Sequence, residues 1–220
     1  MEQDTKKQTA AEARKAECAR IQAELEQQGY VREDATISIL KANLMMLVTS
    51  LPICILLGLL YGLVNVIRRE TAFSDFRGIV FWLAMLISIP VHEFLHGLGW
   101  VSSCKNGWKS IRFGVMWSSL TPYCNCKEPM DVKSYYRGLL MPFAVLGLLP
   151  SLIAIAVGNV MLLAIGLVNI LLAGGDLTIA LVIRKYTGKQ AMLLDHPSEC
   201  GCLAFLKGED AGAAESGKEE

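Results

Sequence analysis

Residues 78–104, GIVFWLAMLISIPVHEFLHGLGWVSSC, carry one formal charge in 27 positions, that of Glu93. About 20 apolar residues in a helix suffice to cross a bilayer core. The stretch therefore reads as a membrane span with His92, Glu93 and His96 inside it. On a helix, residues four apart share a face, with Cβ atoms about 5–6 Å apart. Two imidazoles so placed can bind one Zn²⁺. The glutamate directly after the first histidine sits beside the open coordination position, where it can take a proton from water and pass it to a leaving amine. A charged group at the centre of a span costs about 2.5–3.5 kcal/mol on insertion scales, so such groups are retained for function or pairing. The competing interpretation is a His–Glu pair that hydrogen-bonds neighbouring helices without metal. Of the three histidines in the chain, two lie in this segment.

Outward from this stretch, charge is segregated in the same way. Ala42–Ile67 has none in 26 residues, and Gly138–Ile183 has only Asp176 in 46. Charged residues make up 19% of the chain and hydrophobic ones 53%. A soluble domain rarely leaves such gaps, because its helices need a polar face. The first span is 42–67, with Pro52 a kink that neighbouring helices tolerate. The long third run splits at Gly158-Asn159, a tight-turn pair, into spans 138–157 and 160–183. The expectation is an all-α integral membrane bundle of four transmembrane helices, 42–203, with a small cytoplasmic loop or hairpin at 102–137. A polar N-terminal segment, 1–41, precedes it, with a helix from Thr9 to Gln28 ended by Gly29. A disordered Gly/Ala/Glu-rich tail, 204–220, follows it. The 220 residues allow one ordinary domain with short tails. The first 41 residues lack a secretory signal's apolar region.

Basic residues set the orientation. Arg32, Lys41, six Lys or Arg of the 102–137 loop, and Arg184, Lys185 and Lys189 fall on one side; Arg68, Arg69 and Arg77 fall on the other. Both termini are thus expected in the cytoplasm, with the protein in the cell membrane and the lipid bilayer as its surroundings. A net charge of zero, with no basic patch interleaved with aromatics, argues against nucleic acid as a partner.

A zinc site with an open position needs a third protein ligand. Asp176, in Gly174-Gly175-Asp176, is the only charge in the last two spans, and the glycines permit close approach. His96 lies nine residues before Lys105 and Asp176 eight before Arg184. At 1.5 Å per residue both sit roughly 12–14 Å inside the same membrane face. A packing or proton-relay carboxylate is the alternative for Asp176. A third histidine six residues beyond His96 is excluded, since that position is Ser102. Glu128, in a charged loop, and His196, in the tail, read as solvated surface residues. Cys104, Cys124, Cys126, Cys200 and Cys202 fall on the cytoplasmic side, where thiols stay reduced. Their Cys-x-Cys spacing is not that of a usual zinc site.

Four features resemble the family described as putative zincin peptidases, bacterial multi-pass membrane proteins. They are Pro90-Val-His-Glu-Phe-Leu-His-Gly-Leu98, Thr121-Pro-Tyr-Cys-Asn-Cys-Lys-Glu-Pro129, Pro142 and Gly-Gly-Asp176. The resemblance covers roughly residues 30–203. At a greater distance the arrangement is similar to site-2-type intramembrane metalloproteases. It implies His92, His96 and Asp176 as zinc ligands and Glu93 as general base. The wider group's distal motif has prolines between an Asn and a Leu-Asp-Gly; here Asn169 leads to Gly-Gly-Asp176 without one. Asn169 is a candidate for orienting a substrate strand, with helix packing as the competing role. The expected function is zinc-dependent hydrolysis of a membrane-embedded or membrane-adjacent peptide, held as an extended strand on backbone edges of the 102–137 loop. The rival expectations are a metal-binding transporter or sensor, and a scaffold that binds membrane clients without cutting them.

Overall fold

A computed structural model describes residues 2–68, 77–116, 121–197 and 199–208. Its helices are α1 (Glu2–Gln27), α2 (Ile39–Arg68), α3 (Gly78–Val101), α4 (Val132–Pro142), α5 (Leu149–Val157), α6 (Val160–Leu172) and α7 (Gly174–Ile183). A π-helical turn, Phe143–Leu148, joins α4 to α5 between Pro142 and Pro150, so 132–157 is one continuous helical path. Among the described residues, three helices are long and apolar enough to cross a membrane; α6 and α7, bent by 46° at Ala173, make a fourth if counted as one span. Gly158 takes the left-handed conformation (φ 71°) at the end of α5, and Asn159 Oδ1 caps α6 by accepting from Leu162 N–H at 2.9 Å. Leu59, Val66, Ile79, Trp82 and Leu86 point outward from α2 and α3, each about two-thirds exposed or more, as lipid-facing side chains would be.

The expected all-α class is wrong. Strands β1 (Tyr30–Ile37), β4 (Met130–Asp131), β5 (Ala191–Asp195) and β6 (Cys200–Lys207) form one antiparallel sheet in the order β1-β6-β5-β4. A second sheet is the hairpin of β2 (Ile111–Met116) and β3 (Thr121–Cys126). The four-stranded sheet gathers the N-terminal segment, the loop and the tail at one end of the bundle. β1 and β6 pair along their whole length, from Tyr30 opposite Lys207 to Ile37 opposite Cys200. Gly201, at φ 121°, is held so close to Ala35 that a Cβ would lie 2.4 Å from its carbonyl oxygen. β6 runs past residue 203, and Ala204, Phe205 and Leu206 are fully buried. From 209 onward the expected tail lies outside the described residues.

Alternation explains the sheet's place. Ala191, Leu193, Cys202, Ala204 and Leu206 face a core shared with Tyr135 and Leu139 of α4 and Ile183 of α7. Leu194, Leu203 and Phe205 face Ile21 and Leu25 of α1. The sheet is thus sandwiched between the bundle and α1, and burial of such apolar surface holds it there. The Ile21–Leu25 pair is the buried seam of α1, which Gly29 (φ 82°) ends.

Candidate metal centre

α3 carries His92 and His96 one turn apart, and α7 carries Asp176 in its first turn. A carboxylate there faces the positive end of the helix dipole. His92 Nε2 and His96 Nε2 lie 3.2 Å apart. Asp176 Oδ2 is 3.1 Å from His92 Nε2, and Oδ1 is 3.4 Å from His96 Nε2. A tetrahedral ion with bonds of about 2.0–2.1 Å separates its ligand atoms by roughly 3.3–3.4 Å. The His–His separation is close to that figure, one carboxylate oxygen faces each imidazole, and one ligand atom from each of the three residues lies within 4.8 Å of the others. Asp176 Oδ2 is buried and satisfies no hydrogen bond despite its proximity to His92. A buried carboxylate oxygen left so is costly unless a cation completes its environment. Among the described residues this is the one group of three or more His, Cys, Asp or Glu that could hold a metal.

His96 is oriented from behind. Its Nδ1 lies 3.0 Å from the Gly138 carbonyl, which can only accept, so Nδ1 carries the proton and Nε2 presents its lone pair to the centre. Two glycines allow this contact. A Cβ at Gly99 would lie 2.4 Å from Gly138 Cα, and one at Gly138 would lie 2.2 Å from the Trp100 indole. α3 and α4 therefore meet backbone to backbone. Arg137 reinforces the junction: its Nε donates to Gly99 O at 2.9 Å and a terminal nitrogen to the Ser102 and Ser103 hydroxyls. Trp100 stacks on the His96 ring, centroids 5.4 Å apart, and donates Nε1–H to Tyr135 O at 3.0 Å.

Asp176 is placed by the break between α6 and α7. Thr178 donates its hydroxyl to Gly174 O at 2.8 Å. A Cβ at Gly174 would lie 2.2 Å from Met46 Cγ of α2, whereas one at Gly175 would meet nothing within 4 Å. The first glycine serves helix packing, and space beside Asp176 stays open at the second.

Glu93 points to the hairpin. The Cys124 N–H of β3 hydrogen-bonds its carboxylate. The hairpin is seated on α3: Phe94 stacks on Trp108 at 5.5 Å, and a Cβ at Gly97 would collide with Phe113 and Ile111. Two residues beyond Cys124, Cys126 N–H donates to Asp195 Oδ2 at 2.7 Å. The N–H groups along this edge of β3 therefore face carboxylates, and Pro122, two residues before Cys124, has none to offer.

Other candidate residues lie apart from the three ligands. Asn169 Nδ2 donates to Ser88 Oγ (3.3 Å) and Ile165 O (2.9 Å), tying α6 to α3 one turn before His92. Glu128 closes the turn after α3, accepting from Lys105 N–H, from both nitrogens of Asn106 and from the Ser110 hydroxyl. Desolvation by burial is the largest single effect and pushes its carboxyl up, but these donors together outweigh it and hold the carboxyl below the usual range. His196 Nδ1 accepts from Glu199 N–H at 2.7 Å. Cys104 and Cys126 approach to 3.3 Å as free thiols, and burial pushes both upward in pKa. Sequence reading missed Gly138, Trp100, Tyr135 and Asp195. Gly99 and Gly138 at interfacial positions of apolar runs were the only signal, since small residues mark close helix contacts in membranes.

The fold and site define a helical chain, with three or four helices long and apolar enough to cross a membrane among the described residues, whose His-Glu-x-x-His helix brings two histidines against a distant aspartate. A family model described as "Putative zincin peptidase" matches residues 85–190, just under half of the chain, and that stretch is similar to this family. The match takes in His92, Glu93, His96 and Asp176. No curated protein and no solved structure matches the chain significantly.

Proposed function

We propose that this chain is a zinc-dependent membrane peptidase acting on a peptide embedded in or next to the bilayer, with both termini in the cytoplasm. The supporting observation is the convergence of His92, His96 and Asp176 from two helices, with Glu93 on the next position of the same helix turn. The donor set of two imidazoles and one carboxylate suits Zn²⁺ and leaves a fourth position open. When bound there, Zn²⁺ supplies Lewis acidity toward a carbonyl oxygen and toward water.

The chain's own groups do the rest. Gly138 O holds His96 in the tautomer that ligates. Glu93 Oε accepts a proton from the attacking water and returns it to the leaving amine. Before substrate arrives, the Cys124 N–H holds that carboxylate in place. Since Cys124 and Cys126 N–H are both engaged, strand addition at this edge of β3 is not part of the proposal.

The test is zinc content of the detergent-purified full chain, beside cleavage of a membrane-peptide library. Wild type and Glu93→Gln are expected to hold about one zinc per chain, and Asp176→Ala to lose it. Only wild type should cleave. Loss of metal in the Gln variant would favour a transporter or sensor using the same cluster. No zinc in wild type after metal is supplied would end the peptidase reading.

A further inference from the structure

Two hydrogen-bonded paths lead away from the centre and meet at one carboxylate. From His96 the first path runs to Gly138 O (3.0 Å), then one turn back along α4 to Tyr135. The Tyr135 backbone accepts from the Trp100 indole that stacks on His96, and its hydroxyl donates to Asp195 Oδ1 at 2.7 Å. From Glu93 the second path runs to Cys124 N–H and two residues along β3 to Cys126 N–H, which donates to Asp195 Oδ2 at 2.7 Å. Asp195 ends β5 of the four-stranded sheet. It touches neither ligand nor base.

We propose that Asp195 is the positioning residue of the metal centre, its two carboxylate oxygens setting α4 against His96 and β3 against Glu93. The inference rests on the metal-centre reading above, though not on turnover. Tyr135 is 2% and Cys126 1% exposed, so removing Asp195 takes the partner from two buried donors. An α4 and a β3 free to drift move the Gly138 carbonyl and the Cys124 N–H, the backbone groups that orient His96 and Glu93. The sheet is built from β1, β4, β5 and β6, so the clamp also ties the centre to the correctly assembled N-terminal segment and tail. Asparagine has the same shape: its Oδ1 can accept from Cys126 N–H while its amide donates to the Tyr135 hydroxyl. Position, not charge, is the requirement.

Zinc affinity of the detergent-solubilised full chain, by competition with a metal-sensing chelator, tests this without any substrate. Asp195→Ala should weaken zinc binding about 10–100-fold, the range for outer-shell partners of metal ligands. Asp195→Asn should stay close to wild type, and Tyr135→Phe, which removes a single hydrogen bond, should fall between. An alanine variant with wild-type affinity, or an asparagine variant as weak as alanine, overturns the proposal. If the alanine variant does not fold, Tyr135→Phe decides, and wild-type affinity there overturns it. Wild type that binds zinc yet cleaves nothing defeats only the peptidase reading; wild type that binds none removes the centre and this proposal together.

Discussion

Gly138→Ala isolates the close approach of α3 and α4. The new methyl group would lie 2.2 Å from both Cδ1 and Nε1 of Trp100. Carbon contacts relax at about 3.5–4.0 Å, so α4 must withdraw by roughly 1.3 Å or more, or the indole must turn away. Either response reaches His96. Withdrawal stretches the 3.0 Å Nδ1···Gly138 O hydrogen bond beyond about 3.6 Å, where it no longer counts as one. Turning the indole breaks its stack on His96 and its bond to Tyr135 O. Overpacking of this kind costs about 1–3 kcal/mol of stability. Loss of the ligand's outer partner should weaken zinc about 10–100-fold, or roughly 1.4–2.7 kcal/mol. Chelator competition on folded protein measures the affinity, with circular dichroism confirming that the helices persist. Gly138→Ala that is folded and binds zinc like wild type would refute the claim that this carbonyl sets the His96 tautomer.

Four further outcomes follow from the same structure. Gly174→Ala should destabilise by about 1–3 kcal/mol and disturb Asp176, because its Cβ strikes Met46. Gly175→Ala should be neutral or stabilising by up to about 1 kcal/mol, as open space surrounds it; thermal melts of the two variants, compared, decide. Burial raises the Asp195 carboxyl to about 6, more than the Cys126 and Tyr135 hydrogen bonds lower it. Its contribution to stability is therefore full below about 3.8 and lost as pH rises through about 6, by at most about 3 kcal/mol before allowing for solvent reaching this half-buried residue. Unfolding across pH 4–7 should show that loss in wild type and not in Asp195→Asn. Glu128 works the other way: its lowered carboxyl supports the turn above the ordinary glutamate range and releases it as pH falls. Limited proteolysis should cut at 105–110 more readily in acid, and at neutral pH in Glu128→Ala. Finally, burial raises the Cys126 thiol far above its ordinary value, so an alkylating agent should label it in denatured but not native protein.

The spans were legible because a charge-free run longer than 20 residues has few alternatives in water. The cluster that could hold a metal was legible for a related reason. His92, His96 and Asp176 are costly where they stand, and their depths could be counted from the basic residues that end each span. What the chain order could not show was the sheet. β5 and β6 are covered on both faces, by α1 and by the bundle, so their apolar residues do not alternate with polar ones. β1 finds its partner about 170 residues away, a pairing that no local pattern encodes. Asp195 shows the same limit: alone in the sequence it reads as a tail carboxylate, and only the assembled sheet sets it between Tyr135 and Cys126. The sequence by itself determined which residues could bind a metal and how far each stands from the basic residues that end its apolar run, because spacing and helix rise are local rules. The tertiary structure alone decided which backbone carbonyl orients His96, which amide holds Glu93 and what ties both together, because those contacts join segments that meet only after folding.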